Sequence, residues 1–184
     1  YNVWENDFYI PMGFTYDHYI LTEELDTVSD GNKAAMMLNA VAVDADQAFK
    51  YKDVLSHADD LDSYVYSYTS YYDACHARSE KTVENLTRTK NGVTAESHFE
   101  DDEFVFFSIP YESGWSAYID DKPVDLEKVN IGFMGLVVPA GDHEIELHYE
   151  TPGLKAGAIC TFGGAAALTL IWVIVVLVHT QFVQ

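Results

Sequence analysis

The chain has 184 residues, 48% of them hydrophobic, enough for one or two small domains with a real core. Its formal charge is -20, from 10 Lys+Arg against 30 Asp+Glu, and a surface that acidic repels phosphate backbones and excludes nucleic acid as a partner. The two cysteines, Cys75 in a polar segment and Cys160 in an apolar one, imply no disulfide framework.

In chain order, Tyr1 to Glu5 alternates weakly, as an edge strand does. A chain that begins at Tyr1 with neither methionine nor signal peptide reads as a piece of a longer protein, whose upstream spans would direct it to the membrane. Pro11 and Gly13 close the first apolar cluster. Thr22 followed by Glu23 and Glu24 has the pattern of a helix start, a capping hydroxyl with early acids. Lys33 to Val43 (KAAMMLNAVAV) predicts a helix from its Ala, Met and Leu content. Asp44 to Asp62 is acidic and poorly periodic. Its Asp59, Asp60 and Asp62 fail the calcium-loop spacing, so a solvated loop is predicted. Residues 1–62 thus form an α/β segment expected to pack on a sandwich of residues 63–153.

Ser63 to Tyr72 (SYVYSYTSYY) predicts a strand with Tyr64, Tyr66 and Tyr68 on one face. Such a face either stacks on sugar rings or packs on the sandwich with its hydroxyls at the surface. Asp73 to Leu86 is compatible with a helix. Asn91-Gly92 is a hairpin signal between Leu86–Thr89 and Val93–Phe99. Asn85-Leu86-Thr87 fits a glycosylation acceptor, a short pattern that often occurs by accident.

From Glu103 to Gly153 short strands alternate with turns. Phe104 to Phe107 is an apolar run ended by Pro110, and Gly114 turns the chain before a strand that opens at Trp115. That indole is expected to lie largely buried between two sheets. Asp120-Asp121 is a polar turn; Gly132 and Gly135 bracket Phe133-Met134; Leu136 to Val138 stops at Pro139-Ala140-Gly141. His143 to Tyr149 alternates, with Ile145, Leu147 and Tyr149 on one face. The pattern predicts a mainly β protein with some α, built on an antiparallel sandwich.

Ala156 to Val178 contains no charged residue and predicts a transmembrane helix over 154–179, leaving a short tail, 180–184. Its small half, Gly157, Gly163, Gly164 and Ala165 to Ala167, suits close packing on other membrane helices. The bilayer is therefore a predicted partner.

No nucleophile elbow, phosphate loop or dinucleotide turn occurs in the sequence. His143, Glu144 and His148 resemble a zinc motif with one residue too many, and strand positions five apart face opposite ways. No catalytic, metal or cofactor residue is predicted.

The strings IPYESGWSAYIDDKPV and VNIGFMGLVVPAGDHEIELHYETPG, with ENDFYIPMGFTYD near the start, resemble the C-terminal exterior domain of YfhO-type bacterial membrane proteins. The motif positions are Pro110, Gly114, Trp115, Asp120, Gly132, Gly135 and Gly141; Asp121 stands where that family usually has Gly. The resemblance implies a many-spanning parent of the GT-C glycosyltransferase type. Such a parent would move a sugar from a polyprenyl-phosphate donor to a cell-envelope polymer. It also implies that the acting acid lies in an early loop outside these 184 positions. The soluble part is then expected on the exterior face of the cell membrane. The competing reading is a membrane-anchored binding or adhesion module with no enzymatic role.

Overall fold

The computed structural model describes residues 6, 8–59 and 66–182. The expected edge strand at residues 1–5 and Tyr64 lie outside them. The chain divides into two units, Tyr1–Tyr149 and Glu150–Gln184.

The first unit begins with β1 (Gly13–Tyr16) and β2 (His18–Leu21). Then come α1 (Thr22–Leu25), α2 (Asp30–Asn39), β3 (Val41–Val43), α3 (Ala45–Lys50) and β4 (Ser56–His57). α4 (Tyr68–Glu80) leads into β5 (Glu84–Thr89), β6 (Gly92–Phe99) and β7 (Glu103–Pro110). The last strands are β8 (Trp115–Ile119), β9 (Lys122–Val124), β10 (Glu127–Val129), β11 (Phe133–Val138) and β12 (Gly141–Tyr149).

Two antiparallel sheets, β1-β7-β11-β10 and β5-β6-β12-β8-β9, form the sandwich, and a small parallel sheet, β3-β2-β4, lies beside it. Ile145, Leu147, Ala117, Val93 and Ala95 meet Val105, Phe107, Met134, Leu136 and Val138 in the inter-sheet core. The other face of the four-stranded sheet is covered too. Phe104, Phe106 and Val129 pack there with Val41, Val43, Ala48, Tyr51 and Leu55. Burial on both faces explains why Phe104 to Phe107 is a continuous apolar run while β12 alternates.

Four expectations are corrected. The helix predicted over Lys33–Val43 stops at Asn39, and Val41 to Val43 pairs in parallel with β2. Complete burial between β2 and the sandwich suits a β-branched strand better than another helical turn. The predicted loop after Asp44 contains α3, because the Asp44 carboxylate accepts the Gln47 amide (2.8 Å) and caps it. Thr22 starts α1 but does not cap it: its hydroxyl donates to the Val43 carbonyl across the sheet. The strand predicted through Tyr66 and Tyr68 is the start of α4, where the Ser67 hydroxyl accepts the Ser70 amide (3.0 Å). Capping at Ser67 outweighs the β propensity of the tyrosines.

The turns explain two motif positions. Asp120 and Asp121 both have positive φ (50° and 63°), as a two-residue hairpin between β8 and β9 requires. Gly135 sits under the Phe104 ring, where an added Cβ would lie 2.6 Å from Cε1.

The second unit contains α5 (Leu154–Phe182). Leu154–Val178, 25 residues, is long and apolar enough to cross a membrane, at roughly 37 Å against about 30 Å of hydrocarbon.

Candidate functional site: an aromatic ridge on α4

Helix α4 buries Ala74, Cys75 and Arg78. Arg78 anchors it, donating to the Thr15 carbonyl (2.6 Å) and stacking on Tyr16 at 5.3 Å. The outer face is aromatic. Tyr68 and Tyr72 are one turn apart, and Phe8 wedges between them, its ring centroid 5.7 Å from Tyr68, 5.3 Å from Tyr71 and 6.1 Å from Tyr72. Tyr66 leans on Tyr71 at 5.9 Å. Tyr66 remains 56% exposed and Tyr68 70%, so these rings present faces to solvent while Phe8 fixes their spacing.

The Tyr71 hydroxyl is held above its ordinary pKa by the Cys75 thiol beside it, and burial pushes that thiol up in turn. Both stay protonated at neutral pH, so Tyr71 and Cys75 are neutral partners here. The exposed rings can stack on flat apolar faces and hydrogen-bond through phenols. Of the three tyrosines singled out in the sequence, Tyr66 and Tyr68 join the ridge through a helix end instead of a strand face. Sequence reasoning missed Phe8 and Tyr72. The i,i+4 spacing of Tyr68 and Tyr72 was a visible signal for the latter; nothing local pointed to Phe8.

Trp115 is half-buried instead of enclosed between the sheets. It borders the core from the end of β8, its ring 5.1 Å from that of Tyr149. Among the described residues, no group of three or more His, Cys, Asp or Glu is placed to hold a metal ion. His143 instead pairs with Asp120 (2.7 Å), and His98 with Asp142 (2.7 Å).

These pairs make stability depend on pH. The Asp120 hydrogen bond raises the His143 pKa, the Asp142 bond raises that of His98, and the His143 bond lowers that of Asp120. A raised histidine contributes fully below its unfolded value of about 6.5, and its contribution is lost as pH rises through the folded value. A depressed aspartate contributes above about 3.9 and is lost as pH falls through its folded value. The thermal midpoint is therefore expected to fall as pH rises above about 6.5, and His143→Asn to reduce that fall. Melts at constant ionic strength check this; a flat profile for the natural sequence would contradict it.

Residues 56–161 match the family model described as "Bacterial membrane protein YfhO". The chain belongs to the YfhO family. It is 32% identical over 96 residues to a Bacillus subtilis (strain 168) protein described as "Uncharacterized protein YfhO". That match covers 52% of this chain and 11% of the relative, so the chain corresponds to a small part of the relative's length. No solved structure matches it. The YfhO match takes in β4 to β12 and the start of α5, and so includes the Tyr66–Tyr72 part of the ridge.

Proposed function

We propose that this chain is the non-catalytic exterior domain and last membrane helix of a larger YfhO protein. In this reading the parent transfers a sugar from a polyprenyl-phosphate donor to a cell-envelope polymer. The domain contributes a contact surface for the acceptor glycan, and the small-residue half of α5 packs on other helices of the parent. The observation that carries the binding role is the exposed ridge of Tyr66, Tyr68 and Tyr72 braced by Phe8, since aromatic faces stack on sugar rings. The short reach of the match along a much longer relative supports a longer parent over a self-standing module.

The test uses the full 184-residue chain in detergent micelles, with a purified uncharged cell-envelope glycan as ligand and a polyprenyl-phosphate sugar as donor. Glycan binding is expected to weaken about fivefold for each of Tyr68→Ala and Tyr72→Ala, on the order of 1 kcal/mol per ring. No transfer is expected from this chain by itself. Binding that ignores both substitutions removes the ridge from the proposal, and transfer above background overturns the non-catalytic role.

A further inference from the structure

One end of the sandwich carries a different set of residues from the other. At the first end the Tyr149 amide donates to the Asn91 carbonyl (2.7 Å), and Trp115 stands beside Tyr149. The segment after β7 brings Tyr111 there, and its amide donates to the Gly132 carbonyl (2.8 Å). This places the Asn130-Ile131-Gly132 turn at that end. The Ser108 amide donates to the Met12 carbonyl (2.8 Å), which adds Met12 to the same rim. Ile131 is 67% exposed and Met12 44%. The charges beside them are mixed: Lys90, next to Asn91, and Glu112, in the segment before Trp115.

The opposite end gathers acids. Asp102 accepts the Ala140 amide (2.9 Å), and Asp120 accepts the Glu144 amide (3.1 Å). Glu100, Asp101, Asp121 and Asp142 are exposed in the same group of turns, with Lys122 beside them.

Ile131 is also strained. It has φ 71°, where a β-branched side chain crowds its own backbone. The turn is nonetheless clamped. Asn130 donates its amide to the Ala42 carbonyl (2.9 Å) and accepts the Ala42 amide on its side-chain oxygen (2.6 Å). A strained apolar side chain aimed at solvent from a rigid turn does nothing for the core.

Chain connectivity names the surface it meets. Tyr149 ends β12 and Leu154 begins the membrane-crossing stretch. Five residue steps reach about 18 Å at full extension, so the Tyr149 end cannot stand far from the bilayer surface. An anionic bilayer repels the acidic end and tolerates the mixed one.

We propose that the Ile131 turn and Met12 form a lipid-contacting rim, dipping into the bilayer interface while the acidic turns face away from it. This rests on α5 crossing a membrane and not on the glycan reading. An apolar tip gains by leaving water at the headgroup boundary, and that gain offsets the backbone strain at Ile131.

The experiment uses the full chain with Cys160→Ala in vesicles of phosphatidylethanolamine and phosphatidylglycerol. Nitroxide labels are attached at Ile131→Cys, Met12→Cys, Asp121→Cys or Asp142→Cys; buried Cys75 is controlled by a sample with no added cysteine. Collision rates with oxygen, which partitions into lipid, and with a water-soluble nickel complex are compared. The oxygen-to-nickel ratio is expected to be higher at 131 and 12 than at 121 and 142. Equal ratios at all four sites overturn the proposal. So does a label at 131 shielded from both reagents, which would mean a protein cover. Ile131→Gly supplies an independent check, since it is expected to raise the thermal midpoint by relieving the strain; a lower midpoint removes the strain argument.

Discussion

Phe104→Ala is expected to lower the unfolding free energy of the first unit by about 3–5 kcal/mol. The ring is fully buried, with Tyr51 edge-on at 5.3 Å on one side and Gly135 on the other. Gly135 has no side chain to move into the space the ring would leave, so the cavity cannot collapse from that direction. The converse holds at the glycine: an added Cβ would meet Phe104 Cε1 at 2.6 Å and Cζ at 2.7 Å. Gly135→Ala is accordingly expected to destabilise by about 1–3 kcal/mol through overpacking. Urea unfolding followed by near-ultraviolet circular dichroism reports on the β unit. A loss below about 1 kcal/mol for Phe104→Ala would show that the site repacks.

Asn130→Ala is expected to cost about 2–4 kcal/mol. Asn130 is 4% exposed, and its side chain joins three elements. Its oxygen accepts the Ala42 amide from β3, and its NH2 group donates to the Tyr16 hydroxyl (3.4 Å) from β1. Tyr16 in turn donates to the Met37 carbonyl in α2 (2.5 Å), and burial pushes its pKa up to about 12. Truncation leaves the Ala42 amide without that acceptor inside the protein and puts alanine at φ 45°, a conformation it resists. Asn130→Gly keeps the turn conformation and loses only the side-chain bonds, so the difference between the two variants isolates the backbone term. Hydrogen exchange at the Ala42 amide gives the local readout. Unchanged protection there in Asn130→Ala would refute the clamp.

The β scaffold was legible because its signals are local. Asn91-Gly92 signals a hairpin, which the structure closes one residue early with Thr89 paired to Gly92 across Lys90-Asn91; Asp120-Asp121 signals a turn, and the alternation of His143 to Tyr149 reports one buried face. The membrane-crossing stretch was legible for the same reason, since length and absence of charge are properties of the segment itself. The aromatic ridge was half legible. The cluster of tyrosines stood out, but its geometry depends on Ser67 capping a helix and on Phe8 arriving from about sixty residues away in sequence.

By itself the sequence determined the sandwich strands β6, β7, β8, β11 and β12, the long apolar helix and the YfhO resemblance, whereas Asp73 to Leu86, read as one helical stretch, ends its helix at Glu80 and gives its last three residues to β5. Tertiary structure decided the rest. Val41 to Val43 became a strand because a parallel partner and complete burial were available to it, neither of which is encoded within eleven residues of KAAMMLNAVAV. Trp115 stopped at the rim because its strand begins where the sheet ends. Asn130 became a three-way clamp because the partners that satisfy it, Ala42 and Tyr16, lie 88 and 114 positions away. Propensity and turn chemistry act over a few residues, whereas the pairing of buried polar groups is settled only when distant segments are packed together.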